Sequence, residues 1–101
     1  TGLITEYKPN LAVPFVAGAP LQLLCSYVNE YAIKENNTLH VIAAIEAIYV
    51  DEILLEKDYW IRLDLGKVVT INGLDGYAEP HLLDRFDYAR PSNEVQSLLK
   101  K

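Results

Sequence analysis

The sequence predicts a mainly β, antiparallel fold, and three observations carry that expectation. The first is residues 38–52, TLHVIAAIEAIYVDE, which are apolar on both alternating sides. Leu39, Val41, Ala43, Ile45, Ala47 and Tyr49 make one side; Ile42, Ala44, Ile48 and Val50 make the other, interrupted by His40 and Glu46. A strand with water on one side alternates apolar with polar, so this one is expected to be covered on both, as in a barrel wall with a partner packed outside. The second is residues 21–30, LQLLCSYVNE, a strand with Leu21, Leu23, Cys25 and Tyr27 on one face. The third is the turn-forming KENN at 34–37 between them, whose asparagines tolerate left-handed backbone and join the two strands into an antiparallel hairpin.

At about 3.3 Å per residue the long strand would span roughly 45–50 Å. That is excessive for a small domain, so a bend, a bulge or pairing beyond its own subunit is expected. Ala43, Ala44, Glu46 and Ala47 are good helix formers, but the β-branched residues at both ends and the turn before them favour a strand.

The other elements follow in chain order. Residues 1–20 contain Pro9, Pro14 and Pro20, which forbid a long helix and push their predecessors into extended geometry. Leu11, Val13, Phe15 and Val16 still want burial, so this segment reads as an irregular arm lying on a sheet. The charged residues 51–58 enclose Ile53, Leu54 and Leu55 and read as a short helical turn. Residues 59–63 read as a short strand or a loop anchored by Trp60. KVVTIN at 67–72 reads as a strand, GLDGY at 73–77 as a tight glycine-bearing loop, residues 80–84 as a helical turn and 86–91 as extended chain. SNEVQSLLKK at 92–101 reads as a short terminal helix, capped by Ser92 or Asn93 with Val95, Leu98 and Leu99 as its apolar stripe.

A chain of 101 residues suits one domain. Half of its residues are hydrophobic, slightly rich for this size, which leaves apolar surface for a partner. The net charge of −5 and the lack of a basic run argue against nucleic acid and anionic membranes as partners. One cysteine, Cys25, allows no internal disulfide and suits a reducing, cytoplasmic setting. The sequence shows no transmembrane run and no signal-peptide pattern.

Chemistry-bearing residues are sparse. His40 and His81 are the two histidines, no HxH, HxxxH or HExxH spacing exists, and no metal site is expected. Glu46 sits mid-strand among apolar residues and needs a partner; it either faces outward, or pairs with Arg62, Arg85 or Arg90 at a subunit interface, or serves a ligand. Cys25 alternates with leucines and reads as a small buried hydrophobe. The GLDG run fits neither GxGxxG nor the P-loop pattern. Tyr77, Tyr88 and Arg90 form either a ring-stacking rim with a cation or simple packing at the end of a barrel.

The order of the motifs is more specific than any one of them. TGL at 1–3, VPFVAGAPLQLLC at 13–25, NNTLHVIAAIEAIYVDE at 36–52, GLDGYA at 73–78 and DRFDYARP at 84–91 together resemble the flavin reductase-like, FMN-binding split-barrel family, in its flavoredoxin branch. The resemblance implies a six-stranded antiparallel split barrel of Greek-key type, dimeric, with FMN near the subunit interface and electrons passing from NADH or NADPH through FMN to an acceptor. It places Tyr77 at the late aromatic on the flavin side, Arg90 and Pro91 in the family's tail, and Thr1 just after a segment that contacts the cofactor. Thr1, Tyr77 and Arg90 are thus the cofactor-binding candidates it implies. The family's strand glycine is replaced here by Ala43 or Ala44, while the following glutamate matches Glu46. The family domain is longer at its N-terminal side, so the resemblance also implies an incomplete barrel with weak or lost autonomous activity, partnered by a second copy or by a complementing N-terminal half. The alternative is a cofactor-free dimerisation or scaffold module. An unrelated enzyme using His40 and Glu46 is disfavoured, because six residues of strand put them about 20 Å apart.

Overall fold

The computed structural model describes residues 2–99. It contains two compact units, Thr1–Leu55 and Glu56–Lys101, and each is built from two-stranded antiparallel pairings rather than from one closed sheet. The barrel implied by the resemblance is therefore not closed, and no α-helix occurs among the described residues.

In the first unit, strand β1 (Thr5–Tyr7) pairs with β2 (Pro14–Val16), Thr5 opposite Val16 and Tyr7 opposite Pro14. Residues 5–16 thus form a small hairpin in place of the expected irregular arm. Asn10 closes it with a left-handed φ of 64°, and Pro14 is tolerated as the first residue of a strand. Phe15, 8% exposed, is held edge-on against Tyr49, with ring centroids 5.6 Å apart at 75°. The Lys8 ammonium lies 5.0 Å from the Phe15 ring and 4.3 Å from the Tyr49 ring, a cation over two π faces.

The expected long hairpin is present as β3 (Leu21–Ile33) and β4 (Thr38–Val50), turned through Asn37 at a φ of 56°. Its register slips twice. Leu24 faces Ala47 but Cys25 faces Ile45, so Glu46 is an extra residue in β4; Tyr27 faces Ala43 but Asn29 faces Ile42, so Val28 is an extra residue in β3. Each is a β-bulge, which shifts the alternation of every residue beyond it.

The bulge corrects the two-faced reading of this strand. With Glu46 looped out of the alternation, Leu39, Val41, Ala43 and Ile45 share a face with Ile48 and Val50 instead of opposing them. Opposite these lie Leu21, Leu23, Cys25 and Tyr27, and this aliphatic face carries one charge, Glu30, which accepts a 2.9 Å hydrogen bond from the Tyr27 hydroxyl. That bond raises the Tyr27 pKa. The second face is mixed: Gln22, Ser26, Asn29 and His40 alternate there with Leu24, Ile42 and Tyr49. Within this chain the aliphatic face is uncovered, with Leu39 60% and Ile45 57% exposed. Cys25 is exposed too, against the expectation of a buried thiol.

Beyond β4, a 3₁₀ turn covers Glu52–Leu54 in the segment expected to form a helical turn. The Asp51 carboxylate caps it by accepting from the Ile53 N–H at 3.2 Å, and Leu54 is fully buried.

In the second unit, residues 59–63 form the expected loop around Trp60, followed by a 3₁₀ turn, Leu63–Gly66, that ends with Lys67 in the left-handed region at a φ of 55°. This shortens the expected strand to β5 (Thr70–Asn72), which pairs with β6 (Gly76–Ala78). At Gly76 a Cβ would stand 2.8 Å from the Asn72 carbonyl oxygen, so the tight turn between them requires glycine.

Two expected helical segments are absent. Residues 80–84 are irregular. The terminal helix is replaced by extended chain lying antiparallel to residues 85–87. Asp87 N–H donates to the Gln96 carbonyl at 2.9 Å, Leu98 N–H to the Arg85 carbonyl at 2.7 Å, and Gln96 N–H to the Asp87 carboxylate at 2.8 Å. These partners occupy groups a helix would use internally, and Ser92 at a φ of 71° cannot cap one from the extended region. Lys100 and Lys101, the end of that expected helix, lie outside the described residues.

Phe15→Ala is expected to lower unfolding stability by about 3 kcal/mol, the loss typical of a buried ring. Leu74→Ala, at a position 96% exposed, is expected to change it by less than ~0.5 kcal/mol. Urea denaturation of the two variants checks the contrast.

Candidate functional site

The described residues concentrate charge and aromatic surface around Trp60 in the second unit. The segment DYWIRLD at 58–64 alternates carboxylates, rings and a guanidinium, and the turns on either side of Trp60 fold them together. Arg62 grips Asp64 with two parallel bonds, Nε to Oδ1 at 2.9 Å and Nη2 to Oδ2 at 2.6 Å, and reaches Glu56 from Nη1 at 3.3 Å. Arg85, brought in from the tail, lies 4.2 Å from the Trp60 ring centroid and 2.8 Å from the Asp58 carboxylate. Arg62 stands 6.0 Å from the same ring. One indole therefore meets two guanidinium groups, Arg62 paired with Asp64 and Glu56 and Arg85 with Asp58.

The electrostatics follow from these pairings. The Arg85 guanidinium holds the Asp58 carboxyl below the usual carboxylate range. The Arg62 fork does the same for Asp64, and Asp64 and Glu56 in turn raise the pKa of Arg62. Sequence reasoning missed this cluster. Its signal was the DYWIRLD run, but Arg85 lies far along the chain and nothing local announces it.

Two concavities flank Trp60 within this unit. One, of about 510 Å³, is lined mainly by apolar side chains including Ile61, Val68, Val69 and Leu82, with Asp64, Thr70 and His81 among its walls. The other, about 470 Å³, holds Glu56, Asp58 and Arg85 beside Leu98 and Leu99. A third, of about 370 Å³, lies in the first unit, where Glu6, Gln22, Tyr49 and Asp51 converge.

Thr1 lies outside the described residues. Tyr77 is on β6 opposite Ile71 and is 71% exposed. The Arg90 guanidinium lies 5.5 Å from the Tyr88 ring, and no hydrogen bond or ring contact joins it to Tyr77 among the described residues. Glu46, lifted out of the ladder by its bulge, accepts a 2.6 Å bond from the Ser26 hydroxyl. His40 faces Tyr31 across the ribbon and is exposed, and no cluster of metal-ligating side chains occurs among the described residues.

A flavin mononucleotide needs flat apolar walls for its ring, donors at the ring edge, and amides or cations for its phosphate. Tyr77 and the Tyr88–Arg90 pair supply an exposed ring surface and one guanidinium. Arg62 and Arg85 are already committed to carboxylates. None of the three concavities described above is lined by Tyr77, Tyr88 or Arg90, and the described residues do not enclose such a group.

No protein-family model and no curated protein matches the chain. It is similar to a solved structure from Shewanella frigidimarina, that of a "putative flavin reductase with split barrel domain", at 35% sequence identity and a TM-score of 0.80. The match covers 88% of this chain and 45% of that one, so the chain spans less than half of its neighbour's length. The hairpins described above thus share the course of part of a split barrel. No helix among the described residues is long and apolar enough to cross a membrane.

Asp58 and Asp64 have depressed folded-state pKa values, so the stability they contribute is fully present above their ordinary value of 3.8 and is lost as pH falls through the depressed ones. Acid titration followed by Trp60 fluorescence is expected to show this loss below about pH 4. In a paired Asp58→Asn, Asp64→Asn variant that acid-dependent step is expected to shrink.

Proposed function

We propose that this chain works as part of a flavin reductase-like split barrel of the flavoredoxin branch, binding FMN and passing electrons from NADH or NADPH to an acceptor. The observation that carries the reading is the 35% identity to the flavin reductase-described neighbour over 88% of the chain, joined to the order of motifs from the N-terminal TGL to DYARP. FMN, when bound, supplies the two-electron relay between nicotinamide and acceptor. The chain's own part is to bind and orient: Tyr77 offers a ring face, Arg90 a charge fixed beside Tyr88 for the phosphate or a ring oxygen, and Thr1 a hydroxyl.

The site is shared with further polypeptide, either a second copy or a complementing segment, because the arginines at Trp60 are paired with carboxylates and an exposed surface cannot exclude water. Autonomous turnover by this chain is therefore weak or absent. A reducing cytoplasm suits the exposed thiol of Cys25.

Titration of the chain with FMN, followed by flavin fluorescence, tests this. Binding is expected to be no tighter than about 10 μM, roughly −7 kcal/mol, and Tyr77→Ala with Arg90→Ala to weaken it about tenfold, the loss of one ring contact and one charge-assisted bond. A yellow protein that oxidises NADH or NADPH unaided overturns the claim of weak activity. No binding and no rise in melting temperature at millimolar FMN overturns the flavin reading. That result favours the second reading, a cofactor-free dimerisation or scaffold module, which the uncovered aliphatic face supports.

A further inference from the structure

We infer that the turn between β5 and β6 is a self-modification site: Asn72 cyclises onto the Gly73 nitrogen, loses ammonia and opens to isoaspartate, which undoes the pairing that sets Tyr77. The inference does not depend on flavin.

The sequence supplies the reacting pair. Asn72 precedes Gly73, whereas Asn10, Asn29, Asn36, Asn37 and Asn93 each precede a residue with a side chain. For the ring to close, the backbone nitrogen of the following residue must swing towards the asparagine Cγ. A Cβ on that residue hinders the approach, and glycine has none.

The structure leaves both partners unheld. Asn72 and Gly73 are exposed. Among the described residues, the Asn72 side chain makes no hydrogen bond and the Gly73 N–H donates to no backbone carbonyl. Gly73 sits at a φ of 69°, and an added Cβ there would meet nothing within 4 Å, so the space around it is open. Asn29 and Asn36 differ. The Asn29 Oδ1 accepts from the Glu30 N–H at 2.8 Å, and the Asn36 Oδ1 from the Thr38 hydroxyl at 2.6 Å. Those bonds fix the side chain that would have to rotate.

The hairpin around the turn is short. Its pairs are Thr70–Ala78, Ile71–Tyr77 and Asn72–Gly76. A two-stranded pairing of this length is marginal in water and opens readily. Asp75 also precedes a glycine, but an ionised carboxylate resists nucleophilic attack, and Gly76 is held in the ladder.

The step balances with water as the one co-reactant. The Gly73 N–H proton passes to hydroxide, the nitrogen bonds to the Asn72 Cγ, and the side-chain nitrogen leaves as ammonia. Water then opens the cyclic imide. Attack at Cγ gives aspartate. Attack at the main-chain carbonyl gives isoaspartate, whose main chain runs through the former side chain and is one carbon longer. Either product adds a negative charge, but isoaspartate also lengthens the strand. That extra carbon breaks the Asn72–Gly76 pair and the Ile71–Tyr77 register behind it.

The test incubates the full chain in warm, mildly alkaline buffer and maps its peptides by mass spectrometry, with isoaspartate separated from aspartate by chromatography. The Asn72 peptide is expected to exchange NH for O at least ~tenfold faster than peptides bearing Asn29 or Asn36. Its rate in the native chain is expected to lie within about threefold of the rate in urea, because the turn opens at little cost. Asn72→Gln is expected to lose the reaction, since its larger ring closes poorly. The NMR signals of Tyr77 and Ala78 are expected to move in the isoaspartate product and to stay in place in Asn72→Asp, which carries the charge without the added carbon. No exchange at Asn72, exchange no faster than at Asn29 or Asn36, a native rate below that range, or unmoved Tyr77 signals in the isoaspartate product overturns the inference. Flavin titration of fresh chain succeeds or fails separately, so loss of the flavin reading does not touch this result.

Discussion

The structure depends on one unmet requirement: a long two-stranded ribbon must have its apolar side covered. Backbone pairing between β3 and β4 satisfies the main-chain groups between the strands, but the outer edges and the aliphatic face gain nothing from it. Hydrophobic stabilisation scales with area removed from water, and in this chain most of the large side chains on that face remain half exposed. The first unit has secured its fixed point elsewhere, at Phe15, Tyr49 and Lys8, where the small hairpin meets the end of the large one. The ribbon is thus anchored at one end and open along its length.

The second unit solves a similar problem with different means. It has little buried hydrocarbon, and its organisation rests on Trp60 with two guanidinium groups and their carboxylates. Such pairs near the surface are individually modest. Their value is directional: the bidentate grip of Arg62 on Asp64 fixes the turn that follows, and Arg85 ties the tail to the loop bearing Trp60. The tail's extended course follows from the same arrangement, since residues 85–87 present backbone and carboxylate partners that an isolated short helix does not have.

The sequence made the central hairpin legible because alternation over a dozen residues and an Asn-rich turn are strong local signals. It left the face assignment wrong, because strict alternation counts through Glu46 and Val28 whereas the ladder skips them. The same carboxylate that looked anomalous in the sequence was the marker of the bulge. The terminal helix was inferred from a cap and a three-residue stripe, signals too local to register that Asp87 and Arg85 would claim the backbone of residues 96 and 98. The candidate site was less legible still. Tyr77 and Arg90 came from motif order, and the structure keeps them exposed without joining them; the Trp60 cluster depends on a pairing across the chain that no local pattern reveals.

Glu46 carries one more consequence. Residues 39–45, LHVIAAI, contain no carboxylate, lysine, arginine, proline or glycine, the composition of segments that stack in register into cross-β fibrils. Glu46 is the one carboxylate between Thr38 and Val50. Stacked in parallel register, copies of it would place like charges every ~4.8 Å. The residue that reorders the faces of the native ribbon would therefore also disfavour in-register stacking of its unfolded chain.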